Sequence, residues 1–120
     1  MGVFFAGSLG AAARYLVDGL VQKRWNGAFP LGTLTVNLSG ALLLGGLTGY
    51  LLTHSTAPPA LRAVAGTGFV GAYTTFSTLT FESFRLLREG SRGYAAWNML
   101  GSVGAGMLLA ALGLLLGRSV

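Results

Sequence analysis

The sequence predicts an all-α membrane protein of four spanning helices, the third of them broken. Three observations carry this. Of 120 residues, 52% are apolar and only 9% are charged, whereas a soluble domain carries about 25% charged residues. Three acids and eight bases cannot cover a water-facing surface. A spanning helix needs roughly 20 apolar residues, so the chain has room for four and for no extramembrane domain. Finally, residues 60–89 drawn as one straight helix would reach ~45 Å, well past a ~30 Å hydrocarbon core, and their middle resists helix formation.

Span one covers about 2–21. No base precedes Arg14, so the segment reads as a mature first span and not as a secretory leader. Gly7 with Ala11 and Gly10 with Arg14 make one small face that ends in a base, a spacing that lets helices approach closely in lipid. Arg14 either snorkels to the interface or supplies a positive vestibule for anions, and Asp18 four residues on can pair with it. In the first loop, 22–30, Trp25 and Phe29 suit the interfacial belt.

Span two covers about 31–52 and begins unusually polar. Thr33, Asn37 and Ala41 share one face. A carboxamide in hydrocarbon must find partners, because an unpaired polar group there costs several kcal/mol. Asn37 is therefore either a helix–helix hydrogen bond or an N–H donor aimed at a pore. Gly45 and Gly49 form a small pair for packing. A short second loop ends in Pro58-Pro59, which can open a helix at its first turn.

Segment three covers about 60–89, with a break near 71–77. Gly66, Gly68 and Gly71 disfavour the helix, and Thr74-Thr75 add branching at Cβ. Hydroxyls crowd the stretch that follows, at Thr74, Thr75, Ser77, Thr78 and Thr80. Backbone that leaves the helix at membrane depth is tolerated only inside protein or beside a wet cavity, and its freed carbonyls and N–H groups serve ion sites. Span four covers about 95–116, with Asn98, Ser102, Gly106 and Ala110 on one face. No repeat or linker divides the chain, which reads as one four-helix domain, 1–120.

Composition excludes much. There is no cysteine, and the lone histidine, His54, sits in a loop. Three scattered acids do not make a metal site or hydrolytic machinery, so the chain is not read as an enzyme. The net charge of +5 is not gathered on a soluble face, which disfavours nucleic acid and fits headgroup anchoring. Lys23, Arg24, Arg85, Arg88 and Arg92 fall on one side and Arg62 and Arg118 on the other, five bases against two, which leans toward the first and third loops inside and is too small to settle topology. Hydroxyls, amides and a base without a mid-span acid suit an anion better than a cation, whose usual filter is acidic. Phenylalanine ring edges also present positive charge to an anion. One four-helix chain is too thin to enclose a wet path, which points to at least a dimer.

Three blocks carry a family resemblance: Gly10 to Tyr15 (GAAARY), Pro30 to Asn37 (PLGTLTVN) and Gly68 to Thr78 (GFVGAYTTFST). In order and spacing the chain resembles the Fluc (CrcB) family of fluoride channels. The resemblance implies an antiparallel, dual-topology dimer of four-helix subunits with two pores and a central structural Na⁺. It implies that the carbonyls of Gly71 and Thr74 hold that Na⁺, and that Asn37 and Phe76 meet fluoride. Ser77, Thr78, Thr33 and Ser102 then form a hydroxyl track, with Arg14 near the vestibule. Two positions depart from the pattern: Leu79 replaces a second pore phenylalanine, and Asn98 replaces a tyrosine of the fourth span. The implied function is passive fluoride export across a prokaryotic inner (plasma) membrane. The partner is a second copy or a second homologous subunit. The alternatives are a small dual-topology cation or drug antiporter, which lacks its mid-span carboxylate here, and a non-conducting assembly subunit.

Overall fold

The computed structural model describes residues 1–25, 27, 29–54 and 56–120. The parts of the first two predicted loops at Asn26, Ala28 and Ser55 lie outside the described residues. All regular structure among the described residues is helical, which makes the protein all-α. Helix α1 is Gly2–Arg24 and α2 is Leu31–Thr53. Helix α3 covers residues 59–73. It starts with a turn at Pro59–Leu61, widens into a π-helical stretch at Arg62–Val70, and closes with a turn at Gly71–Tyr73. Helix α4 is Phe76–Arg88. Helix α5 is Arg92–Ser119 and contains a second π-helical stretch at Trp97–Gly101.

Local chemistry sets the boundaries. Pro58 is extended and Pro59 occupies the first helical turn of α3, where its missing N–H leaves no partner unsatisfied. Between α3 and α4 the chain is extended at Thr74 (φ −79°, ψ 157°) and Thr75 (φ −148°, ψ 124°). Thr75 then caps α4, its hydroxyl accepting the Thr78 N–H at 3.3 Å. Gly90 ends α4 with φ +83°, and the Ser91 N–H closes back on the Leu86 carbonyl at 2.8 Å. That left-handed turn is the reason a glycine stands there.

Glycines set the helix packing. Helices α2 and α5 touch backbone to backbone along Gly45, Gly49, Gly113 and Gly117. A Cβ on any of these would strike a carbonyl of the facing helix, at Ala110, Leu114, Leu42 and Gly46 respectively. The Gly45–Gly49 pair foreseen for packing thus finds its partner pair on α5. In the same way Gly10 seats α1 against the Phe69 carbonyl of α3. Such contacts suit lipid, where close van der Waals approach replaces the hydrophobic drive between helices.

The enclosed core is small. Leu86, Val36, Asn98 and Pro30 are the largest side chains fully buried, while Phe4, Leu16, Trp97 and Leu108 face outward. Among the described residues, α2 and α5 are long and apolar enough to cross a membrane.

Candidate functional site

The Thr74 N–H keeps its helical bond to the Val70 carbonyl at 2.9 Å, so the extended residues Thr74 and Thr75 leave three backbone groups in need of partners. Asn37, on the facing wall of α2, takes two of them. Its Nδ2 donates to the Thr75 carbonyl at 2.9 Å, and its Oδ1 accepts the Thr75 N–H at 2.8 Å. In an unbroken helix the Thr75 N–H would bond the Gly71 carbonyl. The Thr78 N–H would likewise bond the Thr74 carbonyl, but it is turned to the Thr75 hydroxyl. The Gly71 and Thr74 carbonyls are therefore both relieved of their helical donors. Thr74 folds its own hydroxyl back onto the Val70 carbonyl at 3.0 Å, away from this gap.

Beside the break lies a cleft of about 280 Å³ lined by Ala11, Arg14, Tyr15, Asp18, Thr33, Val36, Thr75 and Thr78. Three elements meet in it. Arg14 brings its guanidinium from α1, and its Nε is buried without a hydrogen-bond partner. Asp18, expected to pair with Arg14, turns its carboxylate against Gly32 of α2. Thr33 is only 3% exposed and donates to Glu82 Oε1 of α4 at 2.5 Å. The neighbouring Gly32 N–H is held by Gln22 Oε1 at 2.8 Å, which ties the end of α1 to the start of α2.

The remaining predicted positions fall elsewhere. Phe76 is 69% exposed on the outside of the chain, and Ser77 beside it is exposed. Asn98 and Ser102 of α5 are both buried, and Asn98 meets α4. Asn98 Nδ2 donates to Ser83 Oγ at 2.7 Å, while Asn98 Oδ1 and Ser102 Oγ have no partner. Leu79, expected from the resemblance to alter one side of the pore lining, is 4% exposed and packs within the chain.

The structure thus brings Arg14, Thr33 and Thr78 into one cleft and sets Asn37 directly behind it. Phe76 and Ser77 stay on the outer face, and Asn98 and Ser102 do not line the cleft. Sequence reasoning missed two participants. Thr75 is the hinge partner of Asn37, and its signal was a threonine three residues before Thr78, the spacing of a helix cap. Glu82 is one of the three scattered acids, and only the packing of α4 on α2 shows that it receives Thr33.

Chemically, the cleft offers the buried Arg14 Nε–H and the hydroxyls of Thr33, Thr75 and Thr78 beside the Asp18 carboxylate, and behind it Asn37 keeps one N–H beyond its bond to Thr75.

Comparison with known proteins agrees with the resemblance. The family model described as "CrcB-like protein, Camphor Resistance (CrcB)" matches residues 1–114. "Fluoride-specific ion channel FluC 2" of Cutibacterium acnes is 43% identical over 118 residues, 98% of this chain and 96% of that protein. "Fluoride-specific ion channel FluC" of Aquifex aeolicus is 42% identical over 124 positions, spanning 100% of both chains. "Fluoride-specific ion channel FluC 1" of Leifsonia xyli is 44% identical over 113 residues, 94% of this chain and 78% of that protein. The matched residues contain the break, the cleft and the buried Asn98–Ser102 pair, and the chain belongs to the CrcB family.

Proposed function

We propose that this chain is a subunit of a fluoride-specific channel, a passive pore and not an enzyme, that lowers cytoplasmic fluoride across a prokaryotic inner membrane. The observation that carries the reading is the cleft beside the break, lined by hydroxyls and by Arg14 with its buried, unpartnered Nε, in a chain of this family. Fluoride holds its water tightly, so a path must exchange that shell for protein donors without binding too firmly to release the ion. Arg14 would attract the anion to the mouth, and Thr33 and Thr78 would pass it along. The free Asn37 N–H and the Phe76 ring edge would follow, with Ser77 and Ser102 completing the track.

We further propose that two chains assemble in opposite orientations with four spans in the membrane: α1, α2, the broken pair α3–α4, and α5. Exposed Phe76, and exposed Gly71 at the break, suit a second copy as the missing wall. A central Na⁺ fits the residues present: the two carbonyls relieved of helical donors, Gly71 and Thr74, are hard oxygen ligands. A pair from each subunit would supply four. When bound, the ion would supply positive charge at the crossing of the two chains.

The test is fluoride loss from liposomes holding the purified protein, followed with a fluoride electrode and a chloride control. Rapid fluoride loss without chloride loss is expected. Absence of flux, alone and with any co-purified homologous subunit, overturns the reading.

A further inference from the structure

We propose that Asn37 is the positioning residue of the break: its carboxamide holds the Thr75 backbone and thereby keeps the Gly71 carbonyl available as a cation ligand, while the Thr75 residue it holds frees the Thr74 carbonyl with its own hydroxyl. This rests on the central-cation reading above and gives Asn37 a second task besides meeting fluoride.

The argument is one of accounting for backbone groups. A chain that leaves the helix at membrane depth must satisfy every N–H and C=O it exposes. The Thr75 N–H has one obvious competitor for partner, the Gly71 carbonyl one turn back. If that bond formed, α3 would run on and one cation ligand would vanish. Asn37 Oδ1 captures that N–H at 2.8 Å, and Asn37 Nδ2 covers the Thr75 carbonyl at 2.9 Å. One planar amide therefore mimics a strand partner for a single residue. The Thr75 hydroxyl performs the matching step for Thr74 by taking the Thr78 N–H.

Gly40, one turn beyond Asn37 on α2, supports the same geometry from below. A Cβ there would strike Thr74 Cγ2, so α2 approaches the break as closely as a bare backbone permits. Ser39 reaches Tyr73 Oη at 2.9 Å and fixes the last turn of α3. Residues 37, 39 and 40 of α2 thus grip 73, 74 and 75. Only one N–H of Asn37 remains for an anion.

The experiment uses the full-length protein in nanodiscs, comparing wild type, Asn37→Ala and Asn37→Asp. Two readouts are independent of transport. The first is hydrogen–deuterium exchange of overlapping peptides across 70–78; the second is the dependence of the thermal midpoint on Na⁺ with choline as the replacement cation.

In Asn37→Ala the Thr75 amide is expected to exchange at least tenfold faster. The Na⁺ concentration for half-maximal stabilisation is expected to rise at least tenfold, with the oligomer intact on gel filtration. Asn37→Asp keeps the acceptor for the Thr75 N–H, so exchange at Thr75 stays near wild type while fluoride flux falls. Unchanged exchange at Thr75 in Asn37→Ala overturns the proposal. So does loss of protection in Asn37→Asp equal to that in alanine. A wild type without any Na⁺ response, but with Thr75 exchange still governed by residue 37, overturns the cation reading and leaves the grip of Asn37 on the break standing.

Discussion

At the scale of single residues, the buried polar groups divide into those with partners and those without. Asn37 and Thr33 are partnered within the chain, so removing either disturbs structure as well as transport. Ser102 is different. Its Oγ is buried without a partner, so Ser102→Ala loses no hydrogen bond. The thermal midpoint should correspond to a change under about 1 kcal/mol, since the usual net loss per bond is of that size. Any fall in fluoride flux in that variant then reports the path itself. Leu79 offers the opposite case. A family-like Leu79→Phe inserts a ring where the native side chain is 4% exposed, and overfilling a packed site costs about 1–3 kcal/mol. Thermal unfolding in detergent should show the loss, and an unchanged midpoint would mean that the site opens to a lining surface in the assembly.

At the scale of elements, two glycines on α5 look alike in sequence and differ in surroundings. Gly113 lies on the α2 backbone, whereas nothing comes within 4 Å of a Cβ at Gly104. Gly113→Ala should therefore destabilise by about 1–3 kcal/mol through forced separation of the helices. Gly104→Ala should be neutral or gain about 0.5–1 kcal/mol from reduced backbone freedom. Equal effects in denaturation would show that the seam is not where stability resides. The start of α4 gives a second element-scale prediction. Thr75→Ala removes the cap on Thr78 N–H and should cost about 1 kcal/mol, with Thr75→Ser restoring most of it.

For the whole molecule, the open question is orientation. The ends of α1 and α4 carry Lys23, Arg24, Arg85 and Arg88, against Arg62 and Arg118 at the other ends, a bias too small to force one topology by the positive-inside rule. The chain contains no cysteine, so a single Ser119→Cys on exposed Ser119 reports orientation directly. An antiparallel homodimer predicts that about half of the chains in sealed cells react with a membrane-impermeant maleimide, as equal numbers face each way. Labelling of all or none would mean a fixed orientation and a second, non-identical subunit.

The sequence by itself determined the class of the protein and the place where its third helix fails. Both follow from local chemistry: apolar length fixes what must lie in lipid, and Gly71, Thr74 and Thr75 weaken the helix wherever they are packed. The suspicion that Asn37 needed a partner was also legible, because a carboxamide in hydrocarbon always does. Its partner was not. Thr75 is 38 residues away and Glu82 is 49 residues from Thr33, and such pairs depend on the rotation and register of whole helices. Those are set by the glycine seam between α2 and α5 and by Gly10 on α3, where only contact between backbones decides how each helix turns. Tertiary structure alone therefore assembled the cleft, buried Leu79 and Asn98, and joined Asn37 to the break.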